Sequence, residues 1–573
     1  MKSVSETLSE WMQAAFAAAF PENKSEIGEI SVIPSTRPEF GDFQCNSAMR
    51  LARVLKTAPR EIAGRIIKHA PAAEGVARTE HAGPGFINIF LDDKWITKRV
   101  ETVLSDERLG TDRPGAGRTV VMDYGSPNIT KPLHIGHLRS HNIGSALDRL
   151  YRFLGYRVIA DNHLGDWGTQ FGITISGYRR FGDEEAMKKS PMEELERVYI
   201  KSYELSRKDP EWLDKCREEL VKLQNQDPET TRLWHRFVDL SKRELQRIYE
   251  RLGVSYDLIR GESYYKEKLE GTVNRLVEKG IAVRSEGALV VFLENEKLPV
   301  CIVRKKDGAF NYATTDLAAV ADRVEEFSPD RIVYVTDERQ QLHFNQVFAI
   351  SRKLGCTTRL EHVWFGLMRL PEGTFSTREG TTIPLEVLLD EAESRAFDIV
   401  KETSPELDEH RQREIARAVG TGAVKYADLS QNPQSVVTFT WDKALALDGN
   451  SGPYLQYAYA RIKSVRDKYN ERFSGSDPLA FPLSLSEPVE RKLALKLLLF
   501  PEITVRAAES YKPSMIADYL YELTQTYNSF YQNVPFLKAD DGVRESRVKL
   551  CAAVAAVLGK GLELLGLETL DRI

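Results

Sequence analysis

The pattern of hydrophobic and polar residues predicts a strand–turn–helix–strand unit between residues 118 and 172. Val120–Val121 are typical of a buried strand, and the Gly-Ser-Pro-Asn run at 125–128 ends it. A second strand is predicted at Tyr156–Ala160. The helix between them begins at or just after the pair His134 and His137, because apolar residues recur at helical spacing: Leu138, Ile143, Leu147, Leu150 and Leu154. The segment is therefore a β-turn-α-β unit.

The pattern on either side of this unit predicts a first domain of mixed α+β structure and a helical end. Residues 1–112 contain helical patterns and a strand at Phe86–Phe90, and a glycine-rich linker follows. A long charged helical stretch interrupts the core from about 178 to 261. The core is expected to resume with strands near 288–293, 300–304, 331–337 and 362–370. After Pro384 the chain is predicted to be helical to its end.

Length and composition narrow the class of protein. A chain of 573 residues is too long for one core and should hold about three domains. No apolar run reaches the ~18 residues of a membrane span, so no membrane is expected. The net charge of −5 does not exclude an RNA partner, because a large enzyme can present a local basic face. The five cysteines are never in C-x-x-C pairs, which indicates a reducing, cytoplasmic setting and no structural zinc.

The two histidines at the predicted helix start suggest a polyphosphate site. The N–H groups of a helix start and imidazole rings can donate to phosphate oxygens, and Gly136 leaves room for a flat adenine. The alternative is that His134 and His137 are ordinary surface residues of a helix start. The strand–turn–helix–strand context favours the phosphate site, since open α/β sheets bind ligands there. No metal-ligand cluster accompanies these histidines, so Mg²⁺ is expected to arrive with the nucleotide.

A second candidate site lies at Tyr312 and Asp316. On a helix these two side chains project close together, and an aromatic face beside a carboxylate suits a guanidinium group. The alternative is a buried tyrosine and a helix-capping aspartate. Another strand ends at Asp337, so the polar side chains of 338–344 are expected to face the same crevice.

Three runs of residues resemble one family. His134-Ile135-Gly136-His137 is similar to the HIGH signature of class I aminoacyl-tRNA synthetases, while Ser126–Ile129 and Gly165–Gly172 (GDWGTQFG) resemble arginyl-tRNA synthetases in particular. The resemblance covers nearly the whole chain. It implies an α/β fold with a Rossmann-like parallel-sheet catalytic core, a helical insertion, an N-terminal α+β domain and an all-α C-terminal domain. The implied boundaries are 1–112 (contact with the outer corner of tRNA), 113–395 (catalytic, with the insertion at about 178–300), 396–453 (helical junction) and 454–573 (anticodon binding).

The resemblance also implies roles for individual residues. The residues that would bind ATP are Pro127, Asn128, Leu133, His134, Gly136, His137, Ser376, Thr377 and Arg378, of which His134, His137 and Arg378 would act in catalysis together with Lys131. Those that would bind arginine are Asp123, Asn128, His134, Tyr312, Asp316, Gln340 and Glu262. Those that would contact tRNA are Phe40, Tyr454, Tyr459, Arg461 and Tyr527.

Two positions depart from the family pattern. The Lys-Met-Ser-Lys-Ser loop of the class corresponds to residues 374–378, where Thr374 and Thr377 replace the lysines and Arg378 is the remaining cation. Lys131 is a candidate for the missing charge. Asp123 stands where the family usually has glutamate, so its contact with arginine is expected to be longer or bridged by water.

The activity that the resemblance implies is ligation of arginine to tRNA. ATP and L-arginine would give arginyl-adenylate and pyrophosphate, and the arginyl group would move to the terminal ribose of tRNA(Arg). The expected partners are therefore ATP, L-arginine and tRNA(Arg), with no DNA, and the protein is expected to be a monomer that needs tRNA before it activates arginine. Two alternatives are a nucleotidyltransferase for a smaller substrate, on a related fold, and a synthetase-like protein that binds RNA without catalysis.

Overall fold

The computed structural model describes residues 1–129, 131–371, 383–473 and 477–571. The chain divides into two compact units. One unit contains residues 1–114, 454–563 and the residues from 568 onward, and the other contains residues 115–453 and 564–567.

Residues 1–114 form helices around a small antiparallel sheet with strand order β1-β2-β4-β3. The first helix begins with a capping box between Ser3 and Glu6 and buries one apolar face. This confirms the predicted α+β character. The elements are α1 (Val4–Ala19), β1 (Val32–Pro34), β2 (Phe43–Cys45), α2 (Ser47–Leu55), α3 (Pro59–His69), β3 (Val76–Ala82), β4 (Phe86–Leu91) and α4 (Asp93–Ser105).

Residues 115–453 contain the parallel sheet and the helical insertion. The elements are β5 (Thr119–Tyr124), α5 (Ile135–Phe153), β6 (Arg157–Asp161), α6 (Thr169–Phe181), α7 (Glu184–Lys189), α8 (Pro191–Lys208), α9 (Pro210–Gln224), α10 (Pro228–Leu252), α11 (Leu269–Glu278), β7 (Val283–Ser285), β8 (Ala288–Val291), β9 (Cys301–Arg304), α12 (Tyr312–Phe327), β10 (Arg331–Asp337), α13 (Gln341–Leu354), β11 (Arg359–Phe365), β12 (Met368–Arg369), α14 (Leu385–Thr403), α15 (Glu409–Leu429), β13 (Val437–Thr438) and α16 (Trp441–Ala444).

The central sheet has the strand order β11-β10-β5-β6, and every neighbouring pair is parallel. From β5 the chain moves through α5 to β6 on one side, and from β10 it moves through α13 to β11 on the other side. The strand order therefore reverses between β5 and β10. In open α/β sheets a crevice for ligands lies at such a reversal, at the carboxyl ends of the two strands.

One predicted feature of the core is wrong. The strands expected near 288–293 and 300–304 do not join the parallel sheet: β8 and β9 pair antiparallel with each other, and β7 completes a separate three-stranded sheet. Their buried residues Val291 and Val303 still pack in one cluster with Ile332 of β10. Apolar sequence predicted the strands themselves but cannot specify which edge a strand pairs with.

The C-terminal part is helical, as predicted, and consists of α17 (Gly452–Arg472), α18 (Pro488–Leu497), α19 (Phe500–Glu509), α20 (Ser514–Asn533) and α21 (Val543–Leu564). Arg491 joins it to the N-terminal residues of the same unit, because its guanidinium donates to both oxygens of Asp42 at 2.5 and 2.9 Å. Within the described ranges, no helix is long and apolar enough to cross a membrane. All five cysteines are free thiols.

Candidate active site

A cavity of about 630 Å³ lies where the strand order reverses. It is lined from the end of β5 by Asp123, Gly125, Ser126 and Asn128, from the start of α5 by Gly136 and His137, from α12 by Tyr312, Thr315 and Asp316, and from the end of β10 by Thr336, Asp337 and Gln340. The wall also includes His163, Glu262, Arg339 and His343. The two candidate sites of the sequence thus share one cavity.

The turn from β5 to α5 depends on two glycines. Gly125 has a φ of +86°, a conformation that glycine adopts without strain, and it directs the chain away from the strand end. Gly165 lies opposite Asn128, and a Cβ at position 165 would come within 2.0 Å of the Asn128 amide oxygen. Asn128 is exposed and lines the cavity beside this bare backbone.

His134 and His137 cap the helix start and present N–H donors. The ring Nδ1 of His134 accepts from the Gly136 N–H, and the ring Nδ1 of His137 accepts from the His134 N–H, both at 3.1 Å. Burial lowers the pKa of His134 and lowers the pKa of His137 to about 3, so both rings are neutral at pH 7. A neutral ring with Nδ1 as acceptor carries its proton on Nε2. Each histidine therefore has one Nε2–H donor for an anionic group.

Gly136 is exposed at the helix start, with no side chain between the backbone and the solvent. A Cβ here would lie 2.8 Å from the His134 ring, so this glycine also makes room for the ring that caps the helix. The HIGH segment pairs with the chain at Ile383–Leu385, since Leu385 donates to the Leu133 carbonyl at 2.8 Å.

Asp316 is held by a histidine that the sequence did not single out. The Nε2 of His343 lies 2.5 Å from Asp316 Oδ2, and the Tyr312 ring packs 4.5 Å from the His343 ring. Burial raises the pKa of Asp316, but the hydrogen bond and charge of His343 outweigh it, and the net pKa is lowered. Tyr312 is 56% exposed, so its ring lies open at the mouth of the cavity and is not the buried tyrosine of the alternative interpretation.

Glu262 is a second carboxyl group in the wall. Burial raises its pKa to about 7; His163 lowers it, and Asp316 and Asp166 raise it. Asp166 is already engaged, because it accepts from the Ser263 N–H at 2.8 Å and from the Ser263 hydroxyl at 2.7 Å. Glu262 is therefore the carboxyl group that would lose a proton when a cation enters the cavity.

Asp123 is anchored by a buried arginine. Arg323 Nη2 donates to Asp123 Oδ2 at 2.7 Å and to Asp161 Oδ2 at 2.8 Å, and the Arg323 side chain is fully buried. Ser126 Oγ donates to the other oxygen of Asp123 at 2.7 Å. Sequence reasoning missed Arg323, since it gave no sign that α12 reaches the end of β5.

Of the other predicted residues of the catalytic unit, Gln340 lines the cavity, whereas Pro127, Lys131, Leu133 and His134 are not among its lining residues. Gln340 is exposed at the rim, and Pro127 and Leu133 are buried. Lys131 Nζ lies over the Tyr199 ring, 4.3 Å from its centre. The predicted loop contacts fall outside the described residues: Thr374, Ser376, Thr377 and Arg378.

The predicted tRNA contacts lie in the other unit. Tyr454 and Tyr459 are partly buried and Arg461 is exposed, and Phe40 is partly buried in the N-terminal part. Tyr527 is fully buried among the helices, so it offers no ring face to a base, and the prediction of an RNA contact there is wrong. Helical spacing does not distinguish a core tyrosine from an exposed one. In the described ranges, no group of three or more His, Cys, Asp or Glu residues could hold a metal ion.

Comparisons with known proteins match the same family along the whole chain. Residues 2–91, 99–441 and 455–573 match, in that order, the arginyl tRNA synthetase N-terminal domain, the catalytic domain of tRNA synthetases class I (R), and the DALR anticodon binding domain. An arginine–tRNA ligase of Fusobacterium nucleatum is 45% identical over 575 residues, which cover 100% of both chains. One of Hahella chejuensis is 42% identical over 98% of both chains. The crystal structure of the Plasmodium falciparum arginyl-tRNA synthetase has a TM-score of 0.86 at 26% identity, with 100% of both chains covered.

The parallel sheet, the cavity at its reversal point and the histidine-capped helix define a class I aminoacyl-tRNA synthetase. Within that class, the chain belongs to the arginyl-tRNA synthetase family. The predicted fold and the predicted family are thereby confirmed.

Proposed function

We propose that the protein catalyses the ATP-dependent ligation of L-arginine to tRNA(Arg) and releases AMP and pyrophosphate. The observation that carries this proposal is the composition of the cavity at the sheet reversal: the neutral His137 and the bare backbone of Gly136 at one side, carboxyl groups and an open tyrosine ring at the other. The matching curated relatives are named arginine–tRNA ligase, which supports the same activity.

The carboxyl side of the cavity is assigned to the guanidinium of arginine. Asp316 is ionised and points into the cavity, Glu262 can ionise when a cation arrives, and the exposed Tyr312 ring offers a stacking surface. Asn128, Asp123 and Gln340 would hold the α-amino end. Because Asp123 already shares its charge with Arg323, we expect its contact with the substrate to be indirect.

The histidine side is assigned to ATP. The Nε2–H groups of His134 and His137 would donate to phosphate oxygens, and the donors gain strength as negative charge develops on the transferring phosphate. Gly136 would lie against adenine. Mg²⁺ would come bound to the nucleotide, since the described residues include no metal cluster. The reaction forms no covalent enzyme intermediate, so orientation and charge stabilisation are the contribution of the protein.

The predicted cations complete the ATP side. Arg378 is proposed to follow the pyrophosphate, together with Ser376 and Thr377. Lys131 is proposed as the additional charge; its contact with the Tyr199 ring holds it beside the HIGH segment.

The unit that contains the helical C-terminal part is proposed to bind tRNA. Tyr454, Tyr459 and the exposed Arg461 combine aromatic faces with positive charge, which suits unpaired bases. Phe40 and the N-terminal domain are proposed to contact the outer corner of the tRNA. We further propose that the enzyme acts as a cytoplasmic monomer.

A charging assay tests the proposal. Bulk tRNA is incubated with the protein, ATP and each labelled amino acid in turn, and acid-precipitable label is counted. Arginine alone should be attached. Attachment of another amino acid would contradict the assignment of the carboxyl side, and no attachment at all would favour a protein that binds RNA without catalysis.

A further inference from the structure

Asp316 lies between two histidines that play opposite parts in hydrogen bonding. His343 Nε2 is 2.5 Å from Asp316 Oδ2, whereas His163 Nε2 is 4.0 Å from Asp316 Oδ1. A carboxylate can only accept, so the His343 nitrogen is the donor. The longer distance to His163 is too great for a direct hydrogen bond. One oxygen of Asp316 is thus used by the protein, and the other faces His163 across a gap.

The proton of His163 is placed by a backbone carbonyl. Its Nδ1 lies 3.0 Å from the Arg260 oxygen, which cannot donate, so Nδ1 carries the hydrogen. In the neutral ring, Nε2 is then a bare acceptor. The Tyr265 ring packs against His163 with 5.5 Å between centres, and only 13% of the His163 side chain is exposed. The ring is therefore held with its Nε2 toward the cavity.

The gap between His163 and Asp316 matches an N–H group. Two acceptors that face each other at 4.0 Å can both bind a donor that lies to one side of the line between them. Both residues line the same cavity as Glu262, whose charge interacts with each of them, and the hydrogen bonds of the described residues give them no common hydrogen-bond partner. A guanidinium has several donors in one plane, while a lysine ammonium is a single point with tetrahedral donors.

We propose that His163 is a specificity-determining residue that accepts a guanidinium N–H through Nε2, beside Asp316. This inference rests on the proposed function, because the guanidinium is that of the arginine substrate. An imidazole acceptor adds no further negative charge beside Asp316 and Glu262, in a wall that also holds Asp123 and Asp337.

Two substitutions distinguish the roles of the two ring nitrogens of His163. In His163→Asn the amide reaches the place of Nδ1 and can still donate to the Arg260 carbonyl, but nothing occupies the place of Nε2. In His163→Gln the amide reaches the place of Nε2 and can still accept. Each variant is assayed by arginine-dependent ATP–pyrophosphate exchange with tRNA present, and KM is measured for arginine and for ATP.

Loss of an acceptor for a charged donor should raise the arginine KM of His163→Asn by about 10- to 100-fold. The ATP KM should stay within about 3-fold of wild type, and His163→Gln should recover most of the arginine affinity. The reverse order, with Asn like wild type and Gln impaired, would show that His163 only supports the Arg260 backbone and would overturn the inference. Unchanged kinetics in both variants would overturn it as well.

A measurement on the unaltered enzyme covers the case in which neither variant folds. In protein labelled with ¹⁵N-histidine, the Nε2 resonance of His163 should move when arginine is added. A shift that is unaffected by saturating arginine would refute the contact. If the wild-type enzyme does not charge tRNA with arginine, the proposed function fails; if it does and His163→Asn matches it, only this inference fails.

Discussion

Arginine binding should release a proton from Glu262. Burial raises the pKa of this carboxyl group to about 7, so near neutral pH it is half protonated in the empty cavity. A guanidinium beside it stabilises only the ionised form, since a neutral carboxyl group lacks the opposite charge. Asp316 does not contribute to this release, because its pKa is lowered and it stays ionised over the same range.

Proton linkage gives the direction and the size of the change in the arginine KM. Below pH 7 each arginine bound displaces one proton, so the arginine KM should fall about 10-fold for each pH unit gained. Above pH 7 Glu262 is already ionised and the KM should become level. The assay is tRNA-dependent ATP–pyrophosphate exchange between pH 5.5 and 8.5 with ATP at saturation.

The control variant is Glu262→Gln, which keeps the shape of the side chain and cannot ionise. Its arginine KM should be higher than that of wild type at pH 8. Below pH 7 its KM should lack the change of about 10-fold per pH unit that Glu262 causes in wild type. A pH slope that is the same in Glu262→Gln and in wild type would refute the assignment of this proton to Glu262.

Three further predictions concern the phosphate side, the scaffold and the tRNA. His137→Ala removes a hydrogen-bond donor whose contact strengthens in the transition state. In steady-state ATP–pyrophosphate exchange, kcat should fall about 100-fold with little change in the arginine KM. An equal loss in arginine affinity would contradict this role. Asp428→Asn breaks a fully buried ion pair, in which Arg139 Nε lies 2.8 Å from Asp428 Oδ1. The free energy of unfolding of the catalytic unit in urea should fall by about 3–5 kcal/mol. An unchanged urea midpoint would contradict the stabilising role of this buried pair. Without tRNA, ATP–pyrophosphate exchange should be nearly undetectable. Strong exchange with arginine and ATP alone would contradict the expectation that the enzyme needs tRNA before it activates arginine.

The parts of the site that are local in sequence could be predicted from it. The turn after β5, the helix start at the histidines and the adjacency of Tyr312 and Asp316 each depend on residues a few positions apart, so turn chemistry and helical spacing are sufficient. The helix was predicted to begin at or just after the pair His134 and His137, and it begins at Ile135, between the two.

The contacts that span long distances in the sequence could not be predicted. Arg323 anchors Asp123 from 200 positions away, and His343 reaches Asp316 from the helix after the next strand. No local pattern encodes such a pairing, because it depends on which helices cover the sheet. The separate pairing of β8 and β9 has the same origin, because hydrophobic sequence predicts a strand but does not specify its neighbours. The burial of Tyr527 was missed for another reason: helical spacing does not distinguish a core tyrosine from an exposed one.

The central claim is that the carboxyl side of the cavity reads the guanidinium group, and calorimetric titration of Asp316→Asn with arginine and with ATP tests it directly. The variant keeps the size of the side chain and loses its charge, so arginine affinity should fall about 100-fold, as expected for a lost charge-assisted pair. ATP affinity should remain within about 3-fold of wild type, since the histidine side is unchanged. Equal losses for both ligands, or arginine binding at wild-type strength, would contradict the account.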